Sequence, residues 1–140
     1  MDRPKNIRTI LFISQRNAVR SPMAEGLVND LFRERYRAAS AGTDPHEIDP
    51  LTVEVMNEIG VDLSSHRPLK AGDVADVPAD FVVTLSDRAL KVCPLFAHSS
   101  IAFHKAFDEP DTFPEEVEER RERLRALRDQ IRDWLETTFA

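Results

Sequence analysis

The feature that most constrains the fold is an apolar segment that leads through a short polar loop into the start of a helix. Residues 10–13 are apolar, residues 14–20 form the loop, and Ser21-Pro22 marks the helix start, because proline is favoured in the first helical turn. Unpaired N–H groups and the positive end of the helix dipole attract anions at such a point. Arg20 adds a planar guanidinium that suits a phosphate-like oxyanion. The stretch therefore predicts a strand, an anion-binding loop and a helix in succession.

Composition narrows the class of protein. The 140 residues are 41% hydrophobic and 31% charged, which predicts a single domain over residues 1–140. No apolar run approaches the roughly 20 residues of a membrane helix, and no secretory apolar region follows Met1, so we expect a cytoplasmic protein with no membrane partner. One cysteine excludes an internal disulfide, and a net charge of −6 argues against nucleic acid as a main partner. The histidines lack metal-ligand spacing, and we expect neither a metal nor a cofactor.

Strand-like and helix-like segments alternate along the chain. Strands are predicted over residues 7–13, 38–42, 80–85 and 101–103, and helices over residues 21–37, 49–60 and 69–76 and from Thr112 onward. Thr112 and Glu115 have the spacing of a capping box, and Asp49-Pro50 and Gly60 are start and stop signals of the second helix. The alternation indicates an α/β fold with a parallel sheet, in which ligands bind at the carboxyl ends of the strands. Ser14 lies at such an end.

The loop has a further property, which is the spacing of a possible nucleophile at Ser14 from Arg20-Ser21. This pattern resembles the phosphate loop of low-molecular-weight protein tyrosine phosphatases and of the related thioredoxin-coupled arsenate reductases. Other segments resemble family landmarks in the same order: residues 39–43, residues 59–67, residues 82–87 with Cys93-Pro94, and residues 107–110. The resemblance covers nearly the whole chain. It implies a three-layer α/β fold, with a central four-stranded parallel sheet and helices on both faces.

The resemblance also implies roles for the loop residues. Arg20 matches the phosphate-binding arginine, Asn17 the residue that shapes the loop, and Ser21 the hydroxyl that hydrogen-bonds the nucleophile. The implied ligand is a phosphate, sulfate or arsenate-type oxyanion or a phosphorylated protein, and the predicted oxyanion-binding residues are Ser14, Gln15, Arg16, Asn17, Ala18, Val19, Arg20 and Ser21. Gln15 and Arg16 replace the small residues of many relatives. The second guanidinium either strengthens oxyanion binding or points into water.

Two departures concern catalysis. Relatives have a cysteine where this chain has Ser14, and a serine hydroxyl lacks the accessible ionisation of a thiol and needs an adjacent base. No His, Asp or Glu lies within the loop. The general acid of relatives is an aspartate directly before a proline, whereas here Glu109 precedes Pro110 and Asp108 lies one residue earlier, so either carboxyl is a candidate. We therefore expect an oxyanion-binding protein that is catalytically inactive.

Two further sites of the relatives are incomplete. The three-cysteine relay of the reductases maps to Ser14, Ser86 and Cys93, which leaves one thiol. A potassium site of some reductases maps to Asn17, Glu25 and Ser40, with Leu69 at the fourth position. The resemblance therefore implies neither an internal redox relay nor a complete ion site.

Three interpretations of the whole chain remain at the level of sequence. The serine is either natural, in a pseudoenzyme that binds without turnover, or an engineered replacement of cysteine in an active tyrosine phosphatase or arsenate reductase. The third interpretation is a regulatory protein-binding module in which the loop has no pocket role.

Overall fold

A computed structural model describes residues 6–91 and 101–139. Cys93 therefore lies outside the described residues. The four strands are β1 (Arg8–Ser14), β2 (Tyr36–Gly42), β3 (Phe81–Thr84) and β4 (Ile101–His104), and the four helices are α1 (Arg20–Leu31), α2 (Pro50–Asn57), α3 (Asp87–Leu90) and α4 (Val117–Phe139). Two 3-10 turns cover Ala71–Val74 and Pro110–Thr112. In the described part of the chain, no helix combines the length and apolarity needed to cross a membrane.

The strands form one parallel sheet in the order β2-β1-β3-β4. β1 lies inside the sheet, between β2 and β3, and its last residue, Ser14, is level with Gly42 at the end of β2. Ile13 is level with Thr84 at the end of β3. The sequence-based prediction of a four-stranded parallel sheet is confirmed, and Ser14 lies at its carboxyl edge.

Alternate residues of β1 point to opposite faces of the sheet. Ile10 and Phe12 belong to the larger apolar cluster, which contains buried side chains of α1, α2 and α4. Leu11 and Ile13 belong to a smaller cluster, which includes Ala71 of the first 3-10 turn and Ala89 of α3. Helical elements therefore cover both faces, as the three-layer prediction requires.

The predicted end of α1 was wrong. The helix ends at Leu31 rather than at residue 37, and Leu31 is 41% exposed. Tyr36 and Arg37 instead pair with Arg8 and Thr9 of β1, which extends β2 toward the N-terminus. Pairing between segments distant in sequence outweighs local helix propensity here.

The predicted start of α4 was also wrong. Thr112 lies in the preceding 3-10 turn, where its hydroxyl donates to the carbonyl oxygen of Glu109. The carboxylate of Glu116 accepts the N–H groups of Glu118 and Glu119. Glu116 therefore caps α4, and the Thr112–Glu115 capping box does not form.

Arginine side chains of α4 form ion pairs and hydrogen bonds with α2 and the residue that follows it. Arg125 and Arg128 both donate to the Glu58 carboxylate, and hydrogen bonding by Arg125 is the main cause that lowers the pKa of Glu58 to about 2. Arg128, which is buried, also donates to the carbonyl oxygen of Val55. These contacts hold the two helices together beside the site.

Candidate oxyanion-binding site

The oxyanion loop (residues 14–20) is held by the segment that follows β2. The carbonyl oxygens of Ser14, Gln15, Arg16 and Ala18 accept hydrogen bonds from the N–H groups of Thr43, Asp44, His46 and Asp49, respectively. Within the described residues, the N–H groups of residues 15, 16, 18 and 19 donate to no protein acceptor. The carbonyl groups of residues 14, 15, 16 and 18 are therefore fixed on one side of the loop. The N–H groups of residues 15, 16, 18 and 19 remain available to an anion.

Ser14 lies at the base of the loop and is 1% exposed. Its Oγ atom is 2.6 Å from Oγ of Ser21 and accepts the backbone N–H of Asn17 at 3.2 Å. Oγ of Ser21 also accepts a hydrogen bond from Nδ2 of Asn17 at 2.8 Å. In the described part of the chain, no carboxylate or imidazole is hydrogen-bonded to the Ser14 hydroxyl.

Asn17 connects the loop to several other segments. Its backbone adopts a left-handed conformation with φ 53°, which asparagine tolerates better than most residues. The side chain donates to Ser21 and Ser40 and accepts the N–H of Leu69, and His66 hydrogen-bonds the Asn17 carbonyl oxygen at 3.0 Å. Local strain is thereby compensated by contacts with three separate segments.

The residues matched to a potassium site form a hydrogen-bonded chain instead. Nδ2 of Asn17, a donor, faces Ser40, and Ser40 donates to Oε1 of Glu25 at 2.5 Å. The Asn17 side-chain oxygen is already taken by the N–H of Leu69. Asn17 thus presents its amide N–H rather than an oxygen to Ser40, and Leu69 brings no side-chain oxygen to the fourth position. Burial is the main influence on Glu25 and raises the pKa of its carboxyl, while the Ser40 hydrogen bond and the charge of His66 oppose the rise.

Gly42 allows β2 to pass directly beneath the loop. A Cβ atom at this position would lie 2.8 Å from the carbonyl oxygen of Gln15 and 2.9 Å from the backbone nitrogen of Asn17. Both neighbours are backbone atoms and cannot rotate away. The loop therefore depends on a glycine at this point of the sheet edge.

Arg20 begins α1 and is 5% exposed. Its Nη1 atom donates to the carbonyl oxygen of Phe107 at 3.2 Å. Burial lowers the pKa of Arg20, and the charges of Glu109 and Asp111 oppose that shift. The guanidinium is thus held between the oxyanion loop and the acid loop, which we define as residues 107–111.

The acid loop presents Glu109 to the site and turns Asp108 away from it. Glu109, Pro110 and Asp111 line the same cleft as the oxyanion loop. Asp108 lines a different depression, together with Lys105 and Trp134. Of the two predicted carboxyls, the structure brings Glu109 but not Asp108 to the oxyanion loop.

Sequence reasoning did not identify Asp111 as part of the site. Its carboxylate pairs with the guanidinium of Arg16 at 2.9 Å, and both side chains are about half exposed. Arg16 therefore bridges the oxyanion loop and the acid loop, an outcome that neither sequence-based alternative for this residue included. The Asp111 position carries no signal of its own, because acidic residues near proline are common in turns.

Sequence reasoning assigned Asp49 only a role as a helix cap and did not single out Arg120. Asp49 caps α2 through the N–H of Leu51 and pairs with Nη2 of Arg120 at 2.7 Å. Nη1 of Arg120 donates to the carbonyl oxygen of Pro110 at 3.0 Å. The predicted helix cap at Asp49 is confirmed, but only the folded chain shows that it connects to the acid loop.

Together these elements enclose a cleft of about 440 Å³. Its lining residues are Ser14, Gln15, Arg16, Asn17, Ala18, Val19, Arg20, His46, Glu47, Ile48, Asp49, Pro50, Glu109, Pro110, Asp111 and Arg120. The cleft includes all the loop positions predicted to bind an oxyanion except Ser21, which lies behind Ser14.

Ser86, which matches one cysteine of the reductase relay, forms a hydrogen bond within its own segment. Its hydroxyl accepts the N–H of Ala89 and caps α3, and the residue is 2% exposed. Cys93, the other predicted remnant, lies outside the described residues.

The fold and the loop define an α/β protein with a candidate anion site at a strand-to-helix junction. Residues 9–139 match the family of low molecular weight phosphotyrosine protein phosphatases. The chain belongs to this family, as its motifs predicted.

Similar proteins come from both the reductase and the phosphatase branches. The chain is 35% identical to arsenate reductase 2 of Staphylococcus epidermidis, over 74% of this chain and 79% of that protein. It is 33% identical to an arsenate reductase of Halalkalibacterium halodurans, over 90% and 91% of the two chains. An arsenate reductase in the phosphate-binding state has a TM-score of 0.78, with 25% identity over 94% of this chain and 95% of that one. The tyrosine phosphatase Wzb from Escherichia coli K30, solved with sulphate, has a TM-score of 0.71, with 21% identity over 94% and 98%.

Proposed function

We propose that this protein binds a phosphate-type oxyanion in the oxyanion loop and does not turn it over. The free N–H groups of the loop and the buried guanidinium of Arg20 support the binding. A similar structure, the arsenate reductase, was solved in its phosphate-binding state. Phosphate, sulfate, arsenate and phosphorylated proteins share the tetrahedral group that such a loop recognises.

The hydrogen bonds of Ser14 support the absence of turnover. Oγ of Ser14 and Oγ of Ser21 are 2.6 Å apart, and either hydroxyl can be the donor in this contact. Oγ of Ser14 also accepts the N–H of Asn17, and among the described residues no carboxylate or imidazole is hydrogen-bonded to it as a base that would remove its proton. Without a hydrogen-bonded general base the Ser14 hydroxyl is not activated as a nucleophile, and this observation carries the proposal.

Two measurements test the proposal. Titration calorimetry with inorganic phosphate should show binding by the parent and a loss of at least tenfold in affinity for Arg20→Ala. Hydrolysis of an aryl phosphate should be absent in the parent. Ordinary enzymatic turnover by the parent would contradict the inactive assignment, and a lack of phosphate binding would contradict the site itself.

A second candidate function is an active phosphatase in which cysteine has been replaced by Ser14. The observation in its favour is that Arg20, Ser21 and Glu109 surround position 14 as a phosphatase mechanism needs. A thiolate at position 14 would attack phosphorus, Arg20 and the loop N–H groups would hold the equatorial oxygens, and Glu109 would protonate the leaving group. Turnover of aryl phosphate by Ser14→Cys, or a cysteine codon in the natural gene, would favour this candidate.

Two other assignments receive less support. An arsenate reductase would need partner thiols, and Ser86 instead caps a helix. A regulatory module without a pocket role predicts that phosphate neither binds nor stabilises the fold, because a ligand of the native state raises its stability. We further infer that residues 1–140 form a single cytoplasmic domain, in keeping with a family match that spans residues 9–139.

A further inference from the structure

The cleft around the oxyanion loop contains both arginines and carboxylates, and most of them are already paired. Arg16 pairs with Asp111 at 2.9 Å, and Arg120 pairs with Asp49 at 2.7 Å. Each pair carries no net charge. The remaining guanidinium is that of Arg20, whose charge a bound oxyanion would compensate.

Two carboxylates of the cleft are left outside these pairs. Glu47 and Glu109 line the cleft, are exposed, and form no ion pair within the described residues. Glu47 precedes α2, and Glu109 lies on the acid loop, so they come from two different walls. Once an oxyanion occupies the loop and compensates Arg20, the carboxylates of Glu47 and Glu109 make the outer part of the cleft negative.

The cleft also lacks a surface for an aromatic ring. Among the described lining residues there is no phenylalanine, tyrosine or tryptophan, and the apolar contacts come from Ala18, Val19, Ile48 and two prolines. Phe107 and Phe113 lie nearby in sequence, but both are buried in the apolar core. Ring stacking therefore contributes no selectivity here.

We propose that the ligand carries a positive charge beside its phosphoryl group, as the phosphate ester of an amino alcohol or a phosphoryl group flanked by basic side chains does. The phosphoryl group occupies the oxyanion loop, and the cation lies against Glu47 and Glu109. This assignment rests on the proposed function of the loop, and it adds the chemical class of the ligand. A phosphate ester of an uncharged aryl group fits the phosphoryl site, but its ring finds no partner on the walls.

Matched small molecules test the assignment. Phosphoethanolamine and n-propyl phosphate have nearly the same shape, and they differ by an ammonium in place of a methyl group. At pH 8 both phosphoryl groups are dianionic, so a difference in Kd reports the cation. We expect phosphoethanolamine to bind the parent about 3- to 10-fold more tightly in low salt, and the preference to shrink in 0.5 M NaCl because exposed charges are screened. Phenyl phosphate should bind no more tightly than n-propyl phosphate.

A substitution locates the effect. Glu47→Gln should reduce the preference for phosphoethanolamine to less than about twofold without lowering the affinity for n-propyl phosphate. Glu122→Gln is the matched control, because it removes the same charge from an exposed position of α4 outside the cleft. A preference that survives in Glu47→Gln, or that falls equally in both variants, would overturn the role of Glu47.

Two phosphopeptides distinguish the source of the ligand. One peptide has lysine on each side of a phosphoserine, and the other has glutamine at both positions. A preference for the lysine peptide supports a phosphorylated protein segment, and a preference confined to phosphoethanolamine supports a small molecule. If inorganic phosphate binds but neither cationic probe is preferred, the inference fails and the proposed function stands. If inorganic phosphate does not bind, both fail.

Discussion

The Nη1 atom of Arg120 donates a hydrogen bond of 3.0 Å to the carbonyl oxygen of Pro110, the residue that follows Glu109. Arg120 also pairs with Asp49, whose N–H donates to the carbonyl oxygen of Ala18 in the oxyanion loop. One side chain of α4 therefore connects the two loops that form the site. This connection has a measurable energetic consequence.

Removal of Arg120 should destabilise the fold. Arg120→Ala leaves the carboxylate of Asp49, 16% exposed, without its charged partner, and we expect a loss of about 1–3 kcal/mol in the free energy of unfolding, measured by urea denaturation. Arg132→Ala is the control, because that arginine is 42% exposed and its nearest carboxylate oxygen is 3.9 Å away. It should change stability by less than about 0.5 kcal/mol.

A double-mutant cycle isolates the Arg120–Asp49 pair. Asp49→Asn keeps a good helix cap but removes the charge, so Arg120→Ala should cost less in the Asp49→Asn background than in the parent. Strict additivity of the two substitutions would show that Arg120 acts through its contact with Pro110 alone.

A methyl group at Gly42 should disrupt the oxyanion loop. Gly42→Ala places Cβ within 2.9 Å of loop backbone atoms, so we expect about 1–3 kcal/mol of destabilisation and at least tenfold weaker phosphate binding. Gly72→Ala is the control, because nothing lies within 4 Å of a Cβ at Gly72. Unchanged phosphate affinity in Gly42→Ala would show that the loop does not need this close approach.

The raised pKa of Glu25 predicts a pH-dependent stability. The folded protein favours the neutral carboxyl because the side chain is buried, so its contribution is complete below the ordinary value of 4.5 and is lost as pH rises through the folded pKa. Glu25→Gln keeps an acceptor for Ser40 and carries no charge. We expect the stability of this variant relative to the parent to increase between pH 4 and pH 8 in urea denaturation.

The parent and Glu25→Gln contain the same other titratable groups, including His66, so the difference between the two proteins reports the Glu25 carboxyl. Glu122→Gln serves as the control for the loss of one negative charge, and its difference from the parent should not follow the Glu25→Gln curve. A flat difference for Glu25→Gln across this range would contradict burial as the dominant influence on the carboxyl.

Sequence reasoning found the parts of the fold that depend on neighbouring residues. β1, the oxyanion loop and the Asp49 cap have local signals, namely an apolar run, a helix start and a side-chain acceptor. Gly60 has φ +80°, as a stop signal at the end of the second helix predicts. The length of β2 had no local signal, because Tyr36 and Arg37 become strand only by pairing with β1.

The walls of the site could not be predicted in the same way. Glu47, Asp111 and Arg120 come from distant segments, and only the folded chain brings them to one cleft. Asp108 and Glu109 are adjacent in sequence, yet they line different depressions because successive side chains of an extended segment point in opposite directions. Glu109 therefore lines the candidate site, whereas the adjacent Asp108 does not.

The interior position of β1 places the start of the oxyanion loop on the strand that pairs on both sides. Residues 10–13 pair with a strand on each side, so their amide hydrogens should exchange with solvent only when the whole molecule unfolds. The edge strand β4 and the short α3 should exchange through smaller, more frequent openings. The loop begins at the end of β1, so we expect local openings of β4 to leave Ser14 in place.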